Sequence, residues 1–161
     1  MTKIKVDNKS TKRLFSKRSL SRLVGVQILY QHSYNSNDRN ILEIMDEVID
    51  NYTIDGKEEV KSYRKKVEMN FLRNLVNGSI LVLDKLDQEI SKHLDKKRKL
   101  EEIDDVILQI LRLGVFELKF IKDNPYKVTI SEYVDITHSF YNKNQIDFVN
   151  AILDKIAQNG K

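Results

Sequence analysis

The chain has 161 residues, of which 32% are charged and 40% hydrophobic, so it can bury a core without disulfides or metal. It contains no cysteine, which excludes a disulfide framework, a zinc–thiolate site, an iron–sulfur cluster and a cysteine nucleophile. Its single proline and five glycines provide few turns, which disfavours sandwiches, barrels and doubly wound folds and favours an all-α class.

The N-terminal segment is strongly basic. Residues 1–22 contain one acidic residue, Asp7, among many lysines and arginines, whereas the whole chain has a net charge of +4. The segment is therefore a basic arm on a mildly acidic body. Clustered cations release counterions from phosphates, so this asymmetry favours a polyanionic partner, most often nucleic acid. A solubilising tail and a transit peptide are the alternatives. Residues 1–16 lack apolar periodicity and are predicted to form a flexible arm.

Helical periodicity begins directly after the arm. Apolar residues at helical spacing predict helices over Lys17–Tyr34 and Asp38–Tyr52. A longer helical pattern follows from Val60 to Val82, with Gly78 on its apolar stripe, where it predicts close helix packing. A short helix is expected over Asp84–Leu94. These elements divide residues 17–161 into two predicted sub-bundles of one domain, roughly 17–83 and 84–161.

The second half of the chain shows stronger patterns. The segment from Ile103 to Phe120 is apolar on nearly all sides, which predicts a core helix that stops before Pro125. The sequence Thr129-Ile130-Ser131-Glu132 fits a capping box, so a helix is predicted from there to about Phe140. Asn144 is predicted to cap a last helix that has Asp147 in its first turn and ends near Gly160. The total is about seven helices.

Motifs for catalysis are not apparent. The chain has neither a Walker loop nor a G-x-G-x-x-G motif, and its three histidines lack metal-type spacing. The acidic run Glu101–Asp105 lies at a predicted helix start, where it favours the helix dipole. No catalytic residue, metal or cofactor is therefore predicted.

Two arginines of the first helix are the better candidates for function. Arg18 and Arg22 are four residues apart and are predicted to share a face opposite the apolar stripe, with a solvated outer face of no function as the alternative to RNA binding. Guanidinium groups bond phosphates bidentately and stack on bases, which suits RNA. Gln27 lies within the apolar stripe and is predicted to be a polar core residue.

Four blocks of sequence then resemble one family. They are Arg22 with Gln27-Ile28-Leu29-Tyr30, Ile110–Leu118, Val128–Asp135 and Asp147–Lys155. In this order they resemble the NusB family of bacterial transcription antitermination factors. The resemblance implies an all-helical fold of two small bundles. It also implies binding of the single-stranded boxA element of ribosomal RNA leader transcripts, the ribosomal protein NusE as a partner, action on the RNA polymerase elongation complex, and a bacterial cytoplasmic location.

The chain departs from the family pattern at a few positions. Ser19 and Leu20 interrupt the arginine run of the first helix, Ala151 replaces a glycine, and Asn144 replaces an acidic residue found in some members. Phe148 lies at the margin of the last helix's apolar stripe, where it could stack on an unpaired base. The predicted RNA-binding residues are Lys12, Arg13, Lys17, Arg18, Arg22, Asn144, Phe148 and Asn150, and the predicted partner-binding residues are Tyr30 and Glu117.

Two other functions remain open from the sequence. One is a helical protein-binding adaptor without specific RNA recognition. The other is a stand-alone relative of the helical domain that precedes ribosomal RNA cytosine methyltransferases. The second would need a separate methyl-donor domain, which does not fit within 161 residues.

Overall fold

A computed structural model describes residues 16–34, 39–51 and 66–160. Within these residues the regular structure is helical throughout, as the composition predicts. One short 3₁₀ turn, Leu100–Glu102, precedes the fifth α-helix. The seven α-helices are α1 (Lys17–Tyr34), α2 (Ile41–Asn51), α3 (Met69–Leu81), α4 (Leu83–Lys92), α5 (Asp105–Phe120), α6 (Tyr126–Phe140) and α7 (Lys143–Asn159).

Several helix boundaries follow from recognisable caps. The bounds of α1 agree with the prediction. The side chain of Asn40 accepts the backbone N–H of Leu42 and so caps the first turn of α2. Asp104 caps α5 by accepting the backbone N–H groups of Val106 and Ile107 at 3.0 and 3.2 Å. Of the long helix predicted over Val60–Val82, residues 60–65 lie outside the described residues, and the described part is not helical at Val67 and Glu68, so α3 begins only at Met69.

The predicted starts of the last two helices are wrong. Helix α6 begins at Tyr126, and Thr129 is buried within it instead of capping it. The reason is Pro125, whose φ of −55° suits a helix start and whose carbonyl accepts the N–H groups of Val128 and Thr129. Asn142 occupies the N-cap position of α7 without a side-chain hydrogen bond to the helix, and Asn144 is the second residue of α7.

The chain divides into two compact units, Met1–Asn77 and Gly78–Lys161, with the dividing line inside α3. In the first unit α1 packs against α2. Every residue from Ser19 to Leu29 is buried, so α1 has no exposed face over three turns. Gln27 belongs to this buried stretch, which confirms its position within the core.

In the second unit α5 is the central helix. It packs against α4, α6 and α7, and α6 also packs against α7. The core contains side chains from all four helices, among them Ile90, Leu111, Tyr133 and Leu153. Among the described helices, none is both long enough and apolar enough to span a membrane.

Gly78 allows a close approach within the second unit. A Cβ atom on this residue would lie 2.7 and 2.9 Å from the Cε2 and Cε1 atoms of Phe116. Real Cβ atoms do not approach side chains this closely, so the Phe116 ring occupies the space that a side chain would need. This confirms the prediction that Gly78 serves helix packing.

The substitution Gly78→Ala should therefore lower the free energy of unfolding by about 1–3 kcal/mol, because it overpacks a filled core. Gly160→Ala is the matched control, since its Cβ would lie 3.5 Å from the nearest atom, the carbonyl oxygen of Ile156. Urea denaturation of both variants provides the measurement. Equal stabilities would show that Phe116 moves aside at no cost.

Candidate nucleic-acid interface

The basic residues predicted to bind RNA lie in different environments. Lys12 and Arg13 fall outside the described residues. Lys17 is the exposed first residue of α1. Arg18 is half-buried, and Arg22 is buried, with 2% of its surface exposed. The predicted double-arginine face is thus not a solvated ridge.

The segment before α3 and its first turn cover these arginines. The Arg18 guanidinium donates to the Glu68 carboxylate through Nε at 3.1 Å and Nη2 at 3.4 Å. Its Cζ atom lies 4.5 Å from the ring centroid of Phe71, and that of Arg22 lies 5.1 Å from the same centroid. The hydroxyl of Ser21 accepts the backbone N–H of Glu68 at 2.9 Å, which fixes this segment against α1.

The prediction of an exposed Arg22 is therefore wrong. Helical periodicity correctly placed both arginines on one face of α1. Glu68 and Phe71, about fifty residues further along the chain, pack on that face and cover it. A guanidinium is less strongly hydrated than an ammonium group and stacks on rings, so arginine tolerates this position. Arg22 has a structural role in this conformation, whereas Arg18 has a side chain that is 35% exposed and can reach solvent.

In the second unit α7 presents the other predicted RNA-binding residues. Asn144 and Asn150 are exposed, and Phe148 is half-buried. Asn144 and Phe148 are four residues apart and share one face of α7, whereas Asn150 lies about 200° around the helix from Phe148. The helix therefore brings Asn144 and Phe148 together and separates Asn150 from them.

Arg98 is an interface candidate that the sequence analysis missed. Its Cζ atom lies 4.1 Å from the centroid of the Phe148 ring. Arg98 belongs to the run Lys96-Lys97-Arg98-Lys99, which follows the predicted helix Asp84–Leu94. The run of four cations was a signal, but nothing in the sequence indicated that it would meet Phe148, fifty residues away.

The two predicted partner-binding residues also differ. Tyr30 is half-buried and makes an edge-to-face contact with the exposed Tyr34, at 5.0 Å between centroids. Glu117 is buried, with 1% of its surface exposed, so the prediction that it forms a docking surface is wrong. Its helix, α5, packs against three others, and the Glu117 side chain lies on the buried side of that helix.

Acidic groups of α4 and of the start of α5 make structural contacts. Besides capping α5, the Asp104 carboxylate accepts a hydrogen bond from the hydroxyl of Tyr141 at 2.5 Å. A hydrogen bond from Lys92 lowers the pKa of Glu89 against the raising effect of burial, and the charge of Lys119 contributes in the same direction as Lys92. Within the acidic run Glu101–Asp105, Asp104 therefore serves as the cap of α5.

The regular structure of the described residues is helical. In the second unit, α7 and the Lys96–Lys99 run present amides, an aromatic ring and cations at exposed or half-buried positions. Comparison with known proteins agrees with that all-helical class. The NusB family profile matches residues 19–158. The transcription antitermination protein NusB of Rickettsia bellii (strain OSU 85-389) is 36% identical over 146 residues, which cover 91% of this chain and 93% of that protein. The chain belongs to the NusB family.

Solved structures share the fold. NusB of T. maritima superimposes with a TM-score of 0.69 at 33% identity, over 88% of this chain and 90% of that one. A chain from a crystal structure of antitermination factors NusB and NusE in complex with double-stranded RNA gives a TM-score of 0.65 at 24% identity. That match covers 88% of this chain and 96% of the other, and it shows the fold alone.

The two arginines of α1 should respond differently to substitution. Arg22→Ala should lower the free energy of unfolding by about 3 kcal/mol, because it removes a buried side chain that packs on the Phe71 ring. Arg18→Ala should cost less than about 1 kcal/mol, because its ion pair with Glu68 is partly exposed to water. Urea melts of the two variants measure the difference. Equal losses would contradict the burial of Arg22.

Proposed function

We propose that this protein is a bacterial transcription antitermination factor that binds single-stranded boxA-type RNA together with NusE and acts on the RNA polymerase elongation complex. The observation that carries the proposal is membership of the NusB family over residues 19–158. The similarity to an antitermination protein over nine-tenths of both chains supports it. The fold shared with a chain from a structure of NusB and NusE in complex with double-stranded RNA is consistent with the family assignment.

The surface of the protein supports RNA as the ligand. The exposed Lys17 and the half-exposed Arg18 continue the basic arm, where Lys12 and Arg13 add charge, and these cations would meet phosphates. Asn144 would bond a base edge beside Phe148, whose ring would offer an unpaired base the face that the Arg98 guanidinium does not cover. Asn150 would contact RNA only from a different side of α7.

The NusE surface is proposed to include Tyr30. Its pair with Tyr34 places two aromatic rings near the end of α1, and aromatic side chains are enriched at protein interfaces. The function needs no catalytic residue or cofactor, and we place the protein in the bacterial cytoplasm, where transcription occurs. These assignments rest on the family and on the exposed groups together.

RNA binding with and without NusE is the direct test. The protein should bind a boxA-like single strand more tightly than a scrambled strand, and NusE should increase the affinity further. If both strands bind equally and NusE has no effect, the chain is a helical adaptor with a basic tail. A transfer of label from a tritiated methyl donor to ribosomal RNA would instead identify a methyltransferase relative.

Phe148→Ala tests the aromatic contact. Loss of a stacking surface should weaken RNA binding at least about tenfold, since stacking contributes roughly 1–3 kcal/mol per base. The free energy of unfolding should fall by less than about 2 kcal/mol, because the ring is only half-buried. RNA titrations and urea melts on one preparation decide the matter. A large stability loss with unchanged affinity of the folded protein would make Phe148 a core residue.

A further inference from the structure

We propose that the basic turn, defined as Lys96–Lys99, is a second RNA-binding element and that Phe148 positions its arginine to stack on a base. This inference rests on the proposed function and deepens it, because it assigns RNA contacts to a segment outside the predicted set. It is carried by the backbone of the turn, the exposure of its lysines and the contact between Arg98 and Phe148.

The backbone directs the four cations to different places. The N–H of Arg98 donates to the carbonyl of Asp95 at 2.9 Å, which closes a four-residue turn with Lys96 and Lys97 at its tip. Both tip lysines are exposed, and so is Lys99 on the far side of the turn. The chain then enters the 3₁₀ turn that leads to α5. Three ammonium groups therefore face solvent within a short length of chain.

Arg98 is less exposed than these lysines, because its side chain is directed toward Phe148 on α7. Its guanidinium lies on the Phe148 ring, and within the described residues it forms no ion pair with a carboxylate. The N–H donors of this group are thus not committed to an acidic side chain. A guanidinium on a ring keeps its other face available, and that face can stack on a base while the N–H groups bond phosphate or a base edge.

Residues 95–105 also contain five carboxylates, among which Asp95 and Glu101 are exposed and Asp104 and Glu102 make local contacts. The carboxylate of Asp104 is directed at the N-terminus of α5 and at Tyr141. The carboxylate of Glu102 faces the backbone N–H of Lys99 at 3.5 Å, so it accompanies the 3₁₀ turn. The exposed ammonium groups of Lys96, Lys97 and Lys99 can therefore bind the phosphates of RNA. The arrangement of exposed cations beside an aromatic ring is typical of surfaces that bind single strands.

The first experiment measures how RNA affinity depends on salt. A labelled single-stranded RNA is titrated with the full-length wild type, with Lys96→Ala/Lys97→Ala/Lys99→Ala, and with the control Lys122→Ala/Lys127→Ala/Lys155→Ala. The control removes the same charge from exposed positions elsewhere in the second unit. Each phosphate contact contributes about −0.7 to the slope of log affinity against log salt concentration, so the basic-turn variant should have a slope shallower by about 2.

The control variant should retain the wild-type slope. An equal change in both variants, or no change in the basic-turn variant, overturns the inference while wild-type binding upholds the proposed function. Failure of the wild type itself to bind RNA overturns both. Because all six lysines are exposed, thermal melts of the two variants should match that of the wild type, which separates binding from folding.

A double-mutant cycle tests the contact between Arg98 and Phe148. Arg98→Ala should weaken RNA binding roughly tenfold, and Arg98→Lys should recover only part of the loss because an ammonium group does not stack as a plane. The double variant Arg98→Ala/Phe148→Ala should bind about as weakly as the worse single variant. Additive losses would show two independent contacts, and full recovery by lysine would show that charge alone matters. Either result contradicts the proposed role of the ring.

Discussion

The central position of α5 is the constraint on which the second unit depends. Three helices enclose it, so each polar group along its length needs a partner inside the protein. Arg112 satisfies this requirement with a two-point ion pair to Asp87, in which both N–O distances are 2.8 Å. The same enclosure makes Gly78 necessary opposite Phe116 and removes Glu117 from the surface. A residue on α5 is therefore first a packing residue.

Burial of α1 has a parallel effect in the first unit. Ser19 and Leu20, which interrupt the arginine run expected from the family, are both buried, so arginine at either position would bury a further charge. The packing of Glu68 and Phe71 on this helix already engages Arg18 and Arg22. The exposed positive charge of the helix is thus concentrated at Lys17, with a smaller contribution from the half-buried Arg18.

Periodicity, caps and the four family blocks were sufficient to predict the fold class, the bounds of α1, and the packing role of Gly78. They were insufficient where a distant segment decided the outcome. The exposure of Arg22 depended on Phe71, and the environment of Phe148 depended on Arg98. Neither pairing has a signature in local sequence. The start of α6 was mispredicted for a local reason, since the Thr129 capping box competed with Pro125, and the proline carbonyl closed the first turn.

The distribution of charge along the chain supports the basic turn as a binding element for RNA. A mildly acidic body repels RNA unless cations gather where the strand passes. The first helix exposes few of its cations, whereas the basic turn presents three lysines within four residues. Three residues after Phe148, the exposed Ala151 replaces a glycine of the family pattern and strengthens α7, because alanine favours a helix by about 1 kcal/mol over glycine. A more stable α7 fixes the position of the Phe148 ring, and the ring restricts the Arg98 guanidinium that lies on it. A guanidinium that is already ordered would lose less conformational entropy on stacking with a base.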